Sequence, residues 1–387
     1  MPRLDVTFRL KLLAPIRICA MHGASAAMMA PMRMIAFVAV FPLLALSSRA
    51  GWDARLAANY LDARQQEWSQ WPPAKSTGGA CLSCHTGATY LLARPALRRL
   101  LGEGRPTSYE TALLNGLRAR AGLLGPKAIS SAFAAEPLAS QALGVEAVFA
   151  ALFLSLANGS GPAMDADAQK AFDRLWLLQL RQGPDRGAWP WFNLDLDPYE
   201  MPHSPFFGAA LAAMAAGNAP AAYRNQPQVQ QRIGELKAYL AREPESQPLH
   251  NRLLLLWAST KLPDALPEAA RRTILEEIWR KQEADGGWTI DSLGPWKEHP
   301  DAPVSKGSNS YATGLAACVL QAAVVPPDDP RMMRALAWLE SHQDRQSGYW
   351  AADSMNKKYP EGSMQVQFMR DAATAFAALA LSEAQTR

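Results

Sequence analysis

The chain has 387 residues, with 39 Lys and Arg against 35 Asp and Glu, and 49% of its residues are hydrophobic. The first 50 residues hold six of the basic residues and one of the acidic ones, which leaves 33 basic and 34 acidic residues in the remainder. This balance gives no electrostatic footprint for nucleic acid or an anionic membrane surface, and neither partner is expected. Four cysteines are too few for a disulfide framework.

The first 50 residues have the organisation of a secretory signal peptide. Arg33 supplies the basic start, and residues 34–46 form the apolar run MIAFVAVFPLLAL. Ser48 and Ala50 are the small residues expected before a cleavage site, here at Gly51. We therefore predict that the chain is periplasmic or otherwise exported.

The apolar run is too short to span a bilayer comfortably, so no permanent membrane span is expected. An uncleaved signal that stays as an anchor is the alternative. Residues 1–31 precede the signal, and Met32 or Met34 would be a more natural start, which suggests an overlong gene start.

Residues 51–387 contain apolar positions at helical spacing, and these predict twelve helices. The predicted ranges are 52–68, 90–101, 109–123, 145–157, 165–180, 206–216, 229–241, 249–261, 267–282, 311–324, 332–342 and 371–383. Twelve helices fit a closed (α/α)6 toroid with six inner and six outer helices. The fold class is therefore predicted as all-α, with one domain over residues 51–387.

Between the first two helices lies the segment Cys81-Leu82-Ser83-Cys84-His85. Two thiols at this spacing followed by His are typical of covalent haem c attachment, with Cys81 and Cys84 in thioether bonds and His85 as the iron ligand. A zinc site would need further Cys or His at ligand spacing, and Cys19 and Cys318 are isolated. A redox pair of Cys81 and Cys84 is the other alternative.

The sixth iron ligand is left open by the sequence. Residues 86–163 contain neither Met nor His, which disfavours an autonomous cytochrome domain and favours a haem embedded in the toroid. Candidate axial ligands further along the chain are His203, His250, His299, His342, Met201, Met355, Met364 and Met369. An open iron site is equally allowed.

Residues 165–387 contain three copies of a pattern in which a helix ending in Gln is followed by a polar turn and Gly-x-Trp. The copies are Gln182 with Gly187 and Trp189, Gln282 with Gly286 and Trp288, and Gln343 with Gly348 and Trp350. A Gln side chain can satisfy backbone groups at helix ends, and Trp supplies a large packing surface. Gly79-Ala80-Cys81 stands where Gly-x-Trp would come in an earlier repeat.

These repeats resemble the QW motifs of the squalene-hopene cyclase and protein prenyltransferase superfamily. The resemblance implies a toroid of inner and outer helices and assigns the repeat residues to the scaffold. The Asp-x-Asp-Asp motif of the cyclases is missing, since Asp195-Leu196-Asp197-Pro198 lacks the paired Asp. Asp371 is expected at a helix start, where the dipole favours it. The Asp, Cys and His zinc set of the prenyltransferases is missing too.

Three hypotheses for function remain. The first is an exported mono-haem c-type redox protein on a cyclase-like toroid, which binds haem and transfers electrons to an unknown redox partner. The second is a terpenoid-binding or terpenoid-processing toroid with an auxiliary haem and an apolar or isoprenoid ligand. The third is an interaction scaffold with a Cys81 and Cys84 redox pair. The first is preferred, because the haem motif is complete while the cyclase motif is not; whether the protein is an enzyme is left open.

Overall fold

A computed structural model describes residues 51–386 apart from positions 160, 162, 243, 304 and 327. The predicted signal peptide, residues 1–50, lies outside the described residues. Thirteen α-helices are described, and twelve of them have eleven residues or more. They are α1 (Ala54–Gln70), α2 (Gly87–Leu100), α3 (Ser108–Arg120), α4 (Leu138–Asn158), α5 (Ala166–Leu178), α6 (Ser204–Asn218), α7 (Ala221–Arg224), α8 (Pro227–Leu240), α9 (Leu249–Ser259), α10 (Glu268–Arg280), α11 (Ser310–Ala322), α12 (Pro330–Ser341) and α13 (Met364–Thr386).

The long helices alternate between two kinds of burial. In α6 every residue from Phe206 to Ala216 is buried, whereas α10 buries only Ile274 and Ile278, one turn apart. A helix that is apolar all round belongs inside, and one with a single apolar stripe belongs outside. By this criterion α2, α4, α6, α9, α11 and α13 are inner helices, and α1, α3, α5, α8, α10 and α12 are outer helices.

The inner helices form a closed ring. Consecutive inner helices pack against one another from α4 through α6, α9 and α11 to α13, and α13 then packs against α2. Between α2 and α4 the ring is completed by α3, which contacts both helices. The predicted (α/α)6 toroid is thereby confirmed, with six inner and six outer helices. Small Ala and Gly residues on the inner helices allow this close packing.

The predicted helix positions are close to those observed, with two large boundary differences. Helix α4 begins at Leu138 rather than at 145, and α13 begins at Met364 rather than at 371. Asp371 therefore lies in the interior of α13 and not at a helix start, so its predicted role at the helix N-terminus is wrong.

Each Gly-x-Trp turn connects an outer helix to the next inner helix. The turn also fixes the end of that outer helix to the neighbouring outer helix. A Gln side-chain amide donates to the Gly carbonyl and to a second carbonyl in or just before the next outer helix. The Trp indole donates to the carbonyl four residues before the Gln. The Gln residues are Gln179, Gln282 and Gln343, with second carbonyls from Arg232, Arg331 and Asp53. The first copy therefore uses Gln179, and the prediction of Gln182 is wrong.

The glycines of these turns are required by close approach. Gly348 has φ +81°, and a Cβ there would lie 2.4 Å from the backbone carbon of Leu56 in α1. In the first repeat region, Gly78 has φ +78° and a Cβ would lie 2.5 Å from the Cβ of Ala119 in α3. A short antiparallel hairpin of β1 (Lys75–Ser76) and β2 (Gly79–Ala80) surrounds Gly78.

One described helix, α4, is long and apolar enough to cross a membrane by length and composition. Most of its residues are buried inside the ring, as expected for the core helix of a toroid.

Candidate functional site

A cavity of about 300 Å³ opens at the end of the ring where the inner helices begin. Its walls come from the segment before α2, the loop before α6, the residues around the start of α11, the loop before α13 and the first half of α13. Aromatic side chains form much of the wall: Trp68, Trp71, Phe133, Phe192, Tyr199, Tyr311, Tyr359 and Phe368. Asp197, Glu200 and Asp353 line it, while no Lys or Arg does so among the described residues. We name this cavity the acidic pocket.

Cys81, Cys84 and His85 all lie on the wall of the acidic pocket. The indole of Trp68 donates to the carbonyl of Cys81 at 2.7 Å, and this contact fixes the segment to the end of α1. Burial raises the pKa of the Cys81 thiol to about 12 and raises that of Cys84 as well. Both side chains are therefore protonated thiols at neutral pH.

The imidazole of His85 is packed between two aromatic rings. It stacks on Phe368 with ring centroids 5.4 Å apart and 19° between the planes, and it meets Tyr199 edge-on at 5.0 Å. Burial lowers the pKa of His85 to about 4, so the ring is neutral at physiological pH.

The two most buried carboxylates of the pocket come from one tight loop between the first Gly-x-Trp turn and α6. The Leu194 N–H donates to the Glu200 carbonyl at 2.8 Å, and the Glu200 N–H donates to the Leu196 carbonyl at 3.0 Å. Asn356 holds the Asp197 backbone from the opposite loop, since its Oδ1 accepts from the Asp197 N–H and its Nδ2 donates to the Asp197 carbonyl, both at 2.9 Å. Asp195 adopts φ +62°, a conformation that Asp tolerates better than most residues.

Asp197 is almost completely buried and has few partners for a carboxylate. Its Oδ2 accepts the Lys297 N–H at 3.2 Å, and its Oδ1 has no hydrogen-bond partner among the described residues. The Nε2 atoms of His203 and His299 each lie 3.9 Å from one of the two oxygens. Desolvation raises the pKa of Asp197, and the Lys297 N–H and His299 oppose that rise.

Glu200 is half-buried and lies within ion-pair distance of no cation in the described part of the chain. Burial alone raises the pKa of its carboxyl group to about 7. Glu200 therefore changes protonation near neutral pH, as a catalytic acid or base must.

A buried hydrogen-bonded chain forms the floor of the pocket. The hydroxyls of Tyr199 and Tyr311 are 2.6 Å apart, and Tyr311 is 2.8 Å from Nε2 of His250. Nδ1 of His250 is 3.0 Å from Oδ1 of Asn251, so both ring nitrogens have partners. His250 is therefore a structural residue.

The other candidate axial ligands are scattered. His342 stacks on Trp338 with centroids 3.8 Å apart, at a repeat turn, and the sulfur of Met364 accepts from Arg64 at 3.6 Å. Only Met355 and Met369 of the candidate methionines line the acidic pocket. Asp371 does not line it, because its carboxylate is held by Arg64, Tyr60 and Thr86.

No protein-family model and no curated protein matches the chain. Solved structures do match over most of its length. A glycosyl hydrolase of family 88 from Bacteroides vulgatus superposes with a TM-score of 0.51 at 12% identity, over 86% of this chain and 99% of that one. A polysaccharide lyase superposes with a TM-score of 0.50 at 13% identity, over 86% and 98%. A glycosidase gives 0.51 at 12% identity, over 86% and 96%. At these identities the comparison shows the shared toroid fold.

These findings correct the predicted family and function. The structural neighbours are named as glycoside-processing proteins, and no three His, Cys, Asp or Glu side chains in the described ranges are grouped so that they could hold a metal ion. The resemblance to squalene-hopene cyclases, the haem c cofactor and electron transfer are therefore wrong predictions. Terpenoid processing with an auxiliary haem is unsupported for the same reason. The Cys81 to His85 segment is instead part of the pocket wall.

From the sequence, Asp197 was noted only as part of an incomplete cyclase motif, and Glu200 was not identified. A signal was present, because DLDPYE places three acids within six residues directly before an inner helix. Spacing alone did not reveal that two of them become buried in one pocket.

Proposed function

We propose that this chain is a glycoside hydrolase and that the acidic pocket binds the saccharide. The observation that carries the proposal is the loop that places Asp197 and Glu200 on the wall of one aromatic pocket, which no Lys or Arg lines among the described residues. Glycoside hydrolysis is usually carried out by two such carboxyl groups. The glycoside-processing proteins named above share the fold and support the same class.

Glu200 is the proposed general acid. Its pKa of about 7 keeps a substantial fraction of the carboxyl group protonated at neutral pH, so it can give a proton to the leaving glycosidic oxygen. The half-buried position leaves the group accessible from the pocket.

Asp197 is the proposed partner carboxylate. Its side chain is fully buried behind the pocket wall and Oδ2 is fixed by the Lys297 N–H, so its proposed role is to stabilise positive charge on the sugar ring through space. The clamp by Asn356 holds the Asp197 backbone in one position. Such positioning is what electrostatic catalysis requires.

The lining residues favour a neutral saccharide over a uronic acid. Sugar rings present apolar C–H faces that pack against aromatic side chains such as Trp71 and Tyr359. A carboxylated sugar would meet three acids and no Lys or Arg in the described lining. β-Elimination, the reaction of a polysaccharide lyase, would also need a positive group near the substrate carboxylate, so hydrolysis is preferred.

Export of the protein is part of the same proposal. The signal-like residues 34–50 support it, and an exported hydrolase would meet polysaccharides outside the cytoplasm.

The test is an activity screen with the mature chain on neutral aryl glycosides, neutral polysaccharides and, for the lyase alternative, uronic acid polysaccharides, with reducing ends measured as the product. Glu200→Gln and Asp197→Asn should each lower kcat/KM by about 10²–10⁴-fold. Glu268→Gln, an exposed acid at the start of α10, is the matched control and should leave activity unchanged. Ultraviolet-absorbing unsaturated products would instead identify a lyase, and unchanged hydrolysis by both pocket variants would overturn the assignment.

A further inference from the structure

A second cavity, of about 710 Å³, lies at the opposite end of the ring, where the inner helices end. All six inner helices contribute to it, mainly through their last turns, and α3 closes one side. Its volume falls within the range of about 300–1,000 Å³ that is typical of small-molecule sites. The mechanism proposed above makes no use of it.

The inner part of the second cavity is apolar. Leu92, Phe153, Met214 and Trp257 line it, and the same four side chains line a gap of only about 30 Å³ further inside the ring. Tyr199 and Tyr311 on the far side of that gap belong to the acidic pocket. The second cavity therefore ends in a narrow apolar waist, which a hydrocarbon chain could fill but a polar sugar could not.

The outer part of the second cavity carries cationic side chains and an amide hydrogen-bond donor. Arg98 is paired with Glu110 at 3.3 Å and Arg99 with Glu383 at 2.8 Å. Lys261 is exposed at the rim and forms no ion pair within the described part of the chain. A second lining donor, Nδ2 of Asn218, is buried and has no hydrogen-bond partner there.

Complementarity to the negative ends of the inner helices accounts for cations at this rim. The helix ends do not explain why Nδ2 of Asn218 is buried without a hydrogen-bond partner among the described residues, because buried polar groups are normally hydrogen-bonded. Within the described residues, a lysine without an ion pair and an amide donor without a partner lie beside an apolar inner cavity, and together they match a ligand that has one anionic acceptor group and a hydrocarbon body.

We propose that the second cavity binds a fatty acid. The carboxylate binds Lys261 and Nδ2 of Asn218, and the chain packs among Leu92, Phe153, Met214 and Trp257. This proposal does not depend on the proposed hydrolase activity, because the two cavities are lined by different charged residues.

The experiment uses the mature chain and a bromine-substituted stearic acid, because bromine quenches a nearby Trp. Saturable quenching of Trp fluorescence is expected, with no quenching by unsubstituted stearic acid. Trp257→Phe should remove most of the quenching while calorimetry still detects binding. Quenching that is unaffected by Trp257→Phe would place the ligand elsewhere and overturn the proposal.

The head-group contact is tested separately. Lys261→Glu should weaken binding of the brominated acid at least tenfold, and Lys127→Glu, an exposed lysine in the connection between α3 and α4, should not change it. Stearyl alcohol should bind more weakly than stearic acid. Equal affinities for acid and alcohol, or an unchanged affinity in Lys261→Glu, would contradict a carboxylate site. Glu200→Gln should leave fatty-acid binding intact, so a failure of either proposal is visible on its own.

Discussion

Arg64 and Asp371 form a buried ion pair between α1 and α13, with Nε and Oδ1 2.9 Å apart and a sequence separation of 307. The hydroxyl of Tyr60 donates to the same oxygen at 3.0 Å, and that of Thr86 donates to Oδ2 at 2.7 Å. Desolvation raises the pKa of Asp371, and Arg64 opposes this rise. The carboxylate that the sequence placed at a helix start is thus a tie between the first and last helices.

Asp371→Asn should destabilise the protein by about 3–5 kcal/mol, because the buried charge of Arg64 would lose its buried partner and keep only the exposed Glu67. Urea denaturation of the purified variant measures this change. Asp264→Asn is the control, because Asp264 is 86% exposed in its contact with Lys237 and should change stability by less than about 1 kcal/mol. A loss below about 1 kcal/mol in Asp371→Asn would show that the pair contributes little.

Hydrolysis should depend on pH through Glu200. A general acid must be protonated, so kcat/KM should fall as the pH rises through about 7, the pKa of Glu200. Glu200→Gln should lose both most of the activity and this limb of the profile. A wild-type profile that stays flat from pH 6 to 8 would exclude Glu200 as the acid.

The same raised pKa predicts a change in stability with pH. The ordinary pKa of Glu is 4.5, so between pH 4.5 and about 7 the folded state binds a proton that the unfolded state has lost. The stabilising contribution of Glu200 to the free energy of unfolding is therefore fully present below pH 4.5, and it is lost as the pH rises through about 7. The difference in unfolding free energy between wild type and Glu200→Gln should follow this course, and an identical pH dependence of the two proteins would contradict it.

Gly348→Ala should be strongly destabilising, because the new Cβ would meet the backbone of Leu56 and φ is +81°. The matched control is Gly183→Ala, with φ +80° and open space at the Cβ position. The control should lose only about 1–2 kcal/mol for the left-handed conformation. Thermal or urea unfolding compares the two, and equal losses would show that the packing against α1 relaxes at no cost.

Cys81 and Cys84 should react slowly with iodoacetamide at neutral pH, because burial raises both thiol pKa values and the thiolate is the reactive form. Labelling should become fast in denaturant. The intact mass of the exported protein is the companion measurement, and it should correspond to the unmodified mature chain. Rapid labelling of the native protein, or an additional covalent mass on these cysteines, would contradict this prediction.

The sequence predicted the ring well because the two kinds of helix have distinct patterns. Small apolar residues along α6 and α11 and the apolar stripe of α12 are local features, so their positions could be inferred without knowing the fold. The first turns of α13 were missed because residues 364–370 mix polar and apolar side chains with no buried position. Gln182 was predicted in place of Gln179 because both Gln residues precede the same turn.

The acidic pocket could not be predicted in the same way. The properties of Glu200 depend on desolvation by the surrounding fold, and those of Asp197 depend on Asn356 and Lys297, which lie 159 and 100 residues away. The Cys81 to His85 spacing was a strong local signal, yet the wall in which it lies is built from distant segments that include Phe368. Local motifs therefore predicted a chemistry different from the one that the assembled site supports.

The contact between Gln343 and Asp53 has a consequence for how the chain folds. The Gln343 amide donates to the Asp53 carbonyl at 2.9 Å and its carbonyl accepts the Asp53 N–H at 2.6 Å, across 290 residues. The first helix therefore has no neighbour on one side until the last two helices have been synthesised. Contacts at such separation slow folding, and partly made rings expose the apolar inner helices. During synthesis, an open ring with aggregation-prone edges should persist until the C-terminal helices close it.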